Sequence, residues 1–355
     1  MNSLSKKTVV YIGTYTRTGV SKGIYRCLLD SDTGTLSVPE LLCEIRKPSF
    51  LAFHPGKKCV YSVTEGSLGS VTAFHVNHNT GKLDFLNKVH SGGEGPCHLT
   101  IDRSGNFLLT ANYVSGSAAV LPVLPDGSLG EPVSVVQHSG YGMNSERQTA
   151  PHAHSINVSF DNRFVFVADL GIDKLMIYKF DTEKQSLTPA ETPFFQADSG
   201  AGPRHFSFHP SGDYAYLINE LDNTLYALSY DASNGRFERI QRVSILPDDF
   251  SGVSLAAEVC VHPDGDFLYA SNRGHDSIAV FAVNQVDGTI ELRCFVTDGI
   301  DEPRHFNIDP TGRWLIVGSQ DTDSIHLFRI GPDGIPVPTG ISHTVGQPIC
   351  IKFAE

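Results

Sequence analysis

The sequence predicts an all-β fold, a seven-bladed β-propeller with four-stranded blades. Three observations carry the prediction. A unit made of Pro, a short apolar strand, a turn of the His-Pro-x-Gly type and a second strand rich in Tyr, Phe and Leu recurs six times, at intervals of about 50 residues. A tight turn, mostly Gly beside Asp, Asn or Thr, follows seven times. Neither end of the chain completes a unit on its own.

The elements follow in order along the chain. The repeat reads PSFLAFHPGKKCVYSV from Pro48, PCHLTIDRSGNFLLTA from Pro96, AHSINVSFDNRFVFVA from Ala153, PRHFSFHPSGDYAYLI from Pro203, AEVCVHPDGDFLYAS from Ala257 and PRHFNIDPTGRWLIV from Pro303. Each is followed by a third strand, such as DSIAVFAV at 276–283 or DSIHLFRI at 323–330. The hairpin turn that comes next is TGTL at 33–36, TGKL at 80–83, DGSL at 126–129, KQSL at 184–187, NGRF at 234–237, DGTI at 287–290 and DGIP at 333–336. VVYIGTY near the N-terminus matches a second strand, and PICIKFAE at the C-terminus matches a first strand. The C-terminal strand is therefore expected to join the N-terminal blade and close the ring, which leaves only short sheet edges. Residues 1–355 then form a single propeller domain.

Composition bounds the function. The formal net charge of -12 argues against nucleic-acid or anionic-membrane partners. No apolar run is long enough for a signal peptide or a membrane span. The seven cysteines are odd in number and contain no C-x-x-C pair, so reduced thiols in a cytoplasmic protein are expected. His152 and His154 could share a face, but spacing places no third ligand, so neither a metal nor another cofactor is predicted.

Propeller geometry points to the site. The first strand of each blade runs along the central channel, and its start shares a mouth with the end of the second strand. The first-strand starts supply Cys97-His98, His154-Ser155, Arg204-His205, Ala257-Glu258 and Arg304-His305. The second-strand ends supply Asn112, Asp169, Asn219-Glu220, Asn272-Arg273 and Ser319-Gln320. So many ionisable groups at equivalent inner positions are costly unless paired, and they predict a polar, partly basic pocket. The longest insert between blades, QHSGYGMNSERQTAPHAHS from Gln137 to Ser155, reaches the same mouth. PDDFSGVSLAAE at 247–258 is a second rim loop. By contrast, His54, His209 and His262 belong to the turn motif and read as structural. His98, His205 and His305 also admit a structural reading, satisfying backbone groups along the channel. Arg204 with Glu220, and Arg273 with Glu258, also read as possible ion pairs between or within blades.

GPRHFSFHPSGDYAYLINEL, AAEVCVHPDGDFLYASNRG and RQTAPHAHS resemble motifs of the lactonase family of seven-bladed propellers, and the resemblance runs from YIGTYT to VGQPICIKF. The family includes hydrolases of 6-phosphogluconolactone and a fungal muconate-lactonising cyclase. The resemblance implies hydrolysis of a sugar lactone, above all 6-phospho-glucono-δ-lactone, in glucose metabolism through the pentose phosphate pathway. A cyclase or another sugar lactonase is the alternative within the family, and a non-catalytic binding module is the alternative outside it. The resemblance also implies a catalytic set of His154, Arg204, Glu220 and Arg273, with His152 competing for the role of His154. His98, Asn112, His152, Asp169, His205, Glu258, Asn272 and Arg304 are expected around the substrate, a small lactone that carries a phosphate. No G-x-S-x-G motif is present, which favours direct attack by water over an acyl-enzyme. Glu220 or His154 would serve as base, and Arg204 or Arg273 would face the oxyanion or a phosphate.

Overall fold

A computed structural model describes residues 7–56, 58–65, 68–77 and 81–354. The turn expected at 80–83 falls partly outside them. The described residues form seven antiparallel sheets and a single 3-10 turn, Leu170–Ile172. This is the seven-bladed propeller, with its strands ordered in sequence within each blade. The chain divides into two compact units, residues 49–244 and residues 1–48 with 245–355.

The unit of residues 49–244 holds blades two to five. Two of its second strands, Phe107–Asn112 and Phe164–Asp169, are buried at every position. That is why they read as unbroken apolar runs: both faces are covered by neighbouring sheets. The outermost strand Arg236–Ser244 instead alternates, because one of its faces meets solvent. Between blades four and five, Phe164, Phe166 and Ile177 pack against Phe206, Leu217 and Phe237.

The unit of residues 1–48 and 245–355 holds blades one, six and seven. Pro348–Ala354 pairs antiparallel with Lys7–Thr14, in a register that runs from Val9 opposite Ala354 to Thr14 opposite Pro348. The C-terminal strand thus completes the N-terminal blade, as the two incomplete ends predicted. The fourth strand of this blade is split into Thr35–Leu36 and Glu40–Glu44.

The hairpin glycines have a second duty besides their turn. Gly235 has φ +71°, and a Cβ there would lie 2.5 Å from Phe164 of the preceding blade. Gly334 repeats this with φ +76° against Phe267. Both the left-handed backbone and the close approach demand glycine. Tyr269 Oη then donates to Gly334 O at 2.7 Å, tying blade six to blade seven.

Candidate active site

A bulge builds the site. In every blade but the second, the pairing of first and second strands slips by at least one residue near the start of the first strand, as between Ala153 and Ser155 or between Pro203 and His205. The extra residue there is Cys97, His154, Arg204 or Arg304 in the respective blades. A bulge re-aims a side chain that strict alternation would send into the blade. In blade four the bulge falls at His154 itself, and His152 lies just before the strand Ala153–Val158.

Within residues 49–244, Arg204 and Glu220 face each other at the start and end of the two inner strands of blade five. Arg204 Nε donates to Glu220 Oε2 at 2.8 Å, with side chains only 2% and 4% exposed. The other carboxylate oxygen, Oε1, accepts from Arg147 Nη2 at 2.6 Å. A carboxylate gripped on both oxygens by guanidinium groups is fixed in orientation by charge-assisted hydrogen bonds. Glu220 therefore positions two arginines. Burial works against the charge of Arg147, but its contacts with Tyr113 and Glu220 outweigh burial and raise its pKa, so it stays cationic.

Tyr113 connects this cluster to the histidines. Its ring stacks on His152 with centroids 4.4 Å apart and meets His154 edge-on at 5.4 Å, and its hydroxyl accepts from Arg147 Nη2 at 3.5 Å. His152 Nδ1 lies 2.9 Å from Tyr113 O. A carbonyl only accepts, so Nδ1 carries the proton, and in the neutral ring Nε2 is left as the basic nitrogen. No hydrogen bond within the described residues engages that Nε2. His154 is more enclosed, 5% exposed, with its ring 5.2 Å from that of His205 and Cys97 Sγ donating to its carbonyl at 3.3 Å.

Other expected site residues in this unit are engaged by backbone and neighbouring side-chain groups. Asp169 Oδ1 accepts the backbone N–H of His152 at 2.7 Å and that of Gly171 at 2.9 Å, while Oδ2 accepts from buried His138. Asp169 thus fixes the segment that carries His152. Asn112 Nδ2 reaches Ser91 O and Ser117 Oγ, each at 3.3 Å, and is fully buried. His98 Nδ1 accepts the Ile156 N–H at 3.3 Å, and its ring packs against Phe50 at 4.2 Å and His205 at 5.4 Å. His54 binds Gly105 O of the next blade at 3.0 Å, at the turn end of the strands.

Within residues 1–48 and 245–355, Arg273 ends the second strand of blade six. Its Nη2 donates to Ala256 O at 3.0 Å and its Nη1 lies 3.8 Å from Glu302. The carboxyl of Glu302 is pushed up by burial, an effect that Arg273 opposes. Glu258 Oε2 lies 3.2 Å from His305 Nε2, while Nδ1 of that ring accepts the Ile351 N–H of the closing strand at 3.2 Å. Asn272 Nδ2 donates to Ile245 O at 2.6 Å. Arg304 lies over the Tyr15 ring at 5.6 Å, and Arg17 lies over the same ring at 4.0 Å.

Sequence reasoning missed Tyr113 and Arg147. Tyr113 had a signal: it follows Asn112 as Glu220 follows Asn219 and Arg273 follows Asn272. Arg147 had none in the repeat, because it stands in the insert. Among the described residues, no group of three or more His, Cys, Asp or Glu could hold a metal ion.

A propeller whose bulged inner strands gather arginine, carboxylate and histidine defines the class of protein. The family profile "Lactonase, 7-bladed beta-propeller" matches residues 9–353, and the chain belongs to that family. It is 40% identical over 351 residues to the Bacillus subtilis protein named 6-phosphogluconolactonase, covering 98% of each chain. It is 32% identical to the Formosa agariphila protein of the same name, covering 90% of this chain and 92% of that one. Among solved structures, the Pseudomonas aeruginosa periplasmic gluconolactonase superposes with a TM-score of 0.92 at 30% identity, covering 98% of this chain and 99% of that one.

Proposed function

We propose that this protein hydrolyses a sugar lactone, 6-phospho-glucono-δ-lactone, to 6-phosphogluconate, in the oxidative pentose phosphate pathway. The observation that carries the reading is the pairing of a histidine whose basic Nε2 is unengaged, His152, with the Arg204–Glu220–Arg147 chain through Tyr113. Buried charges of this kind are costly in a mere scaffold, which weighs against a binding module. Water loses a proton to His152 Nε2 as its oxygen bonds to the lactone carbonyl carbon. The positive charge of Arg204 faces the developing oxyanion. The tetrahedral intermediate collapses with cleavage of the bond to the ring oxygen, which takes the proton from His152. The acid formed releases its remaining proton to solvent.

His154 packs edge-on against Tyr113 and serves as a positioning residue. The seven cysteines with no C-x-x-C spacing favour a cytoplasmic location, and no helix of the described residues is long and apolar enough to cross a membrane. The test is the initial rate of ring opening for freshly generated 6-phosphogluconolactone and for gluconolactone, with the spontaneous rate subtracted. A carboxylated muconolactone is assayed alongside. Acceleration of the sugar lactones supports the reading, and activity confined to the muconolactone replaces it with a cyclase.

A further inference from the structure

The insert from Gln137 to Ser155 is pinned. Gln148 is fully buried, and its Nε2 donates to Leu170 O at 2.8 Å and to Asp173 Oδ1 at 2.6 Å. Its Oε1 accepts the Asn144 N–H at 3.0 Å, and Asn144 Oδ1 accepts the N–H groups of Glu146 and Arg147, each at 3.0 Å. Arg147 therefore projects from a fixed turn, and the entropy of placing it is already spent in folding. Only one end of its guanidinium is used. Nη2 serves both Glu220 and Tyr113, while among the described residues Nη1 and Nε meet no protein acceptor.

The side chain is 35% exposed, against 2% for Arg204, so its remaining donors face solvent. Glu220 carries one negative charge against the two positive charges of Arg147 and Arg204. The cluster is locally cationic in a chain whose formal net charge is -12. Such a spot draws an anion, and a guanidinium with free N–H donors fits the oxygens of a phosphate ester better than it fits a neutral hydroxyl.

We infer that Arg147 is the specificity residue that binds the phosphate of the substrate, so that the insert selects phosphorylated over unphosphorylated aldonolactones. The inference rests on the lactonase reading above. Arg147 does not take part in the bond changes; it holds the far end of the substrate while the lactone carbonyl lies toward His152 and Arg204.

The test compares wild type, Arg147→Ala and Arg147→Lys on 6-phosphogluconolactone and on gluconolactone, each by background-corrected initial rates. Wild type is expected to prefer the phosphorylated lactone. Arg147→Ala should cut the ratio of the two kcat/KM values by about 10- to 100-fold, mainly through KM for the phosphorylated substrate, as loss of a charged hydrogen bond requires. Arg147→Lys should restore part of the ratio. Inorganic phosphate should inhibit wild-type turnover of gluconolactone and inhibit the Ala variant much less. A purely structural Arg147, which only steadies Glu220, would slow both substrates by the same factor and leave phosphate inhibition intact; that result overturns the inference. So does a wild type with no preference for the phosphate, which leaves the lactonase reading standing. A wild type that opens neither lactone overturns the reading itself.

Discussion

Arg204 Nε and Glu220 Oε2, 16 positions apart in sequence, lie 2.8 Å apart at the two ends of one strand pair. The bond is buried and shared with Arg147 through the other carboxylate oxygen. Removing the charge of Glu220 takes the buried carboxylate from between Arg204 and Arg147, and breaking a buried pair in this way costs ~3–5 kcal/mol. Glu220→Gln is thus expected to lower both the denaturant midpoint and turnover, whereas a dedicated general base would lose turnover alone. Equilibrium urea unfolding beside initial rates separates the two outcomes.

The free Nε2 of His152 makes a sharper prediction. His152→Gln should lower kcat by about 100- to 10,000-fold, the usual range for a lost general base, and flatten the acid limb of the pH–rate profile. His154→Asn should retain that limb, with a smaller loss that comes from looser packing against Tyr113 and His205. If the limb vanishes in the His154 variant and survives in the His152 variant, the two roles are reversed.

Acid should weaken the fold at its outer hairpins. Side-chain hydrogen bonds from Ser128, Lys184, Ser233 and Thr289 hold the carboxyls of Asp126, Asp181, Asp231 and Asp287 below the ordinary 3.8. Groups depressed in the folded state contribute stability above the unfolded value and lose it as pH falls through the folded one. The denaturant midpoint should therefore drop as pH is lowered below 3.8. A variant with all four changed to Asn keeps the turn acceptors and should show a shallower drop. Parallel pH curves for the two proteins would contradict this.

The closing strand is a stability element. Deleting 348–355 strips Lys7–Thr14 of one of its two partners and exposes that strand as a new sheet edge. The truncated protein is expected to aggregate or to lose its cooperative unfolding transition. A circular-dichroism melt with a wild-type midpoint would show that the strand is dispensable.

The repeat was legible because each blade must solve the same packing problem, so Phe164 and Phe267 recur at one place and Gly235 and Gly334 at another. The start and end positions of the inner strands were legible for the same reason. What each does was not. Asn112, Asp169 and Asn272 occupy the equivalent second-strand ends, yet their polar atoms bind turns and backbone. Only the folded chain reveals that Glu220 is held by two arginines, or that His154 sits on a bulge. Arg147 lies in an insert without a repeat partner, so comparison of blades could not reach it.

The reaction proposed for this propeller is the opening of a sugar lactone by water at the Arg204 site. It is tested most directly by the background-subtracted initial rate on 6-phosphogluconolactone of wild type beside Arg204→Lys, with both shown to be folded. The expected result is a wild-type rate well above the spontaneous one and a variant slower by about 100-fold or more, since lysine keeps the charge but loses the planar fork of donors. A wild type that adds nothing to the spontaneous rate, or a folded Arg204→Lys variant with wild-type turnover, would contradict it.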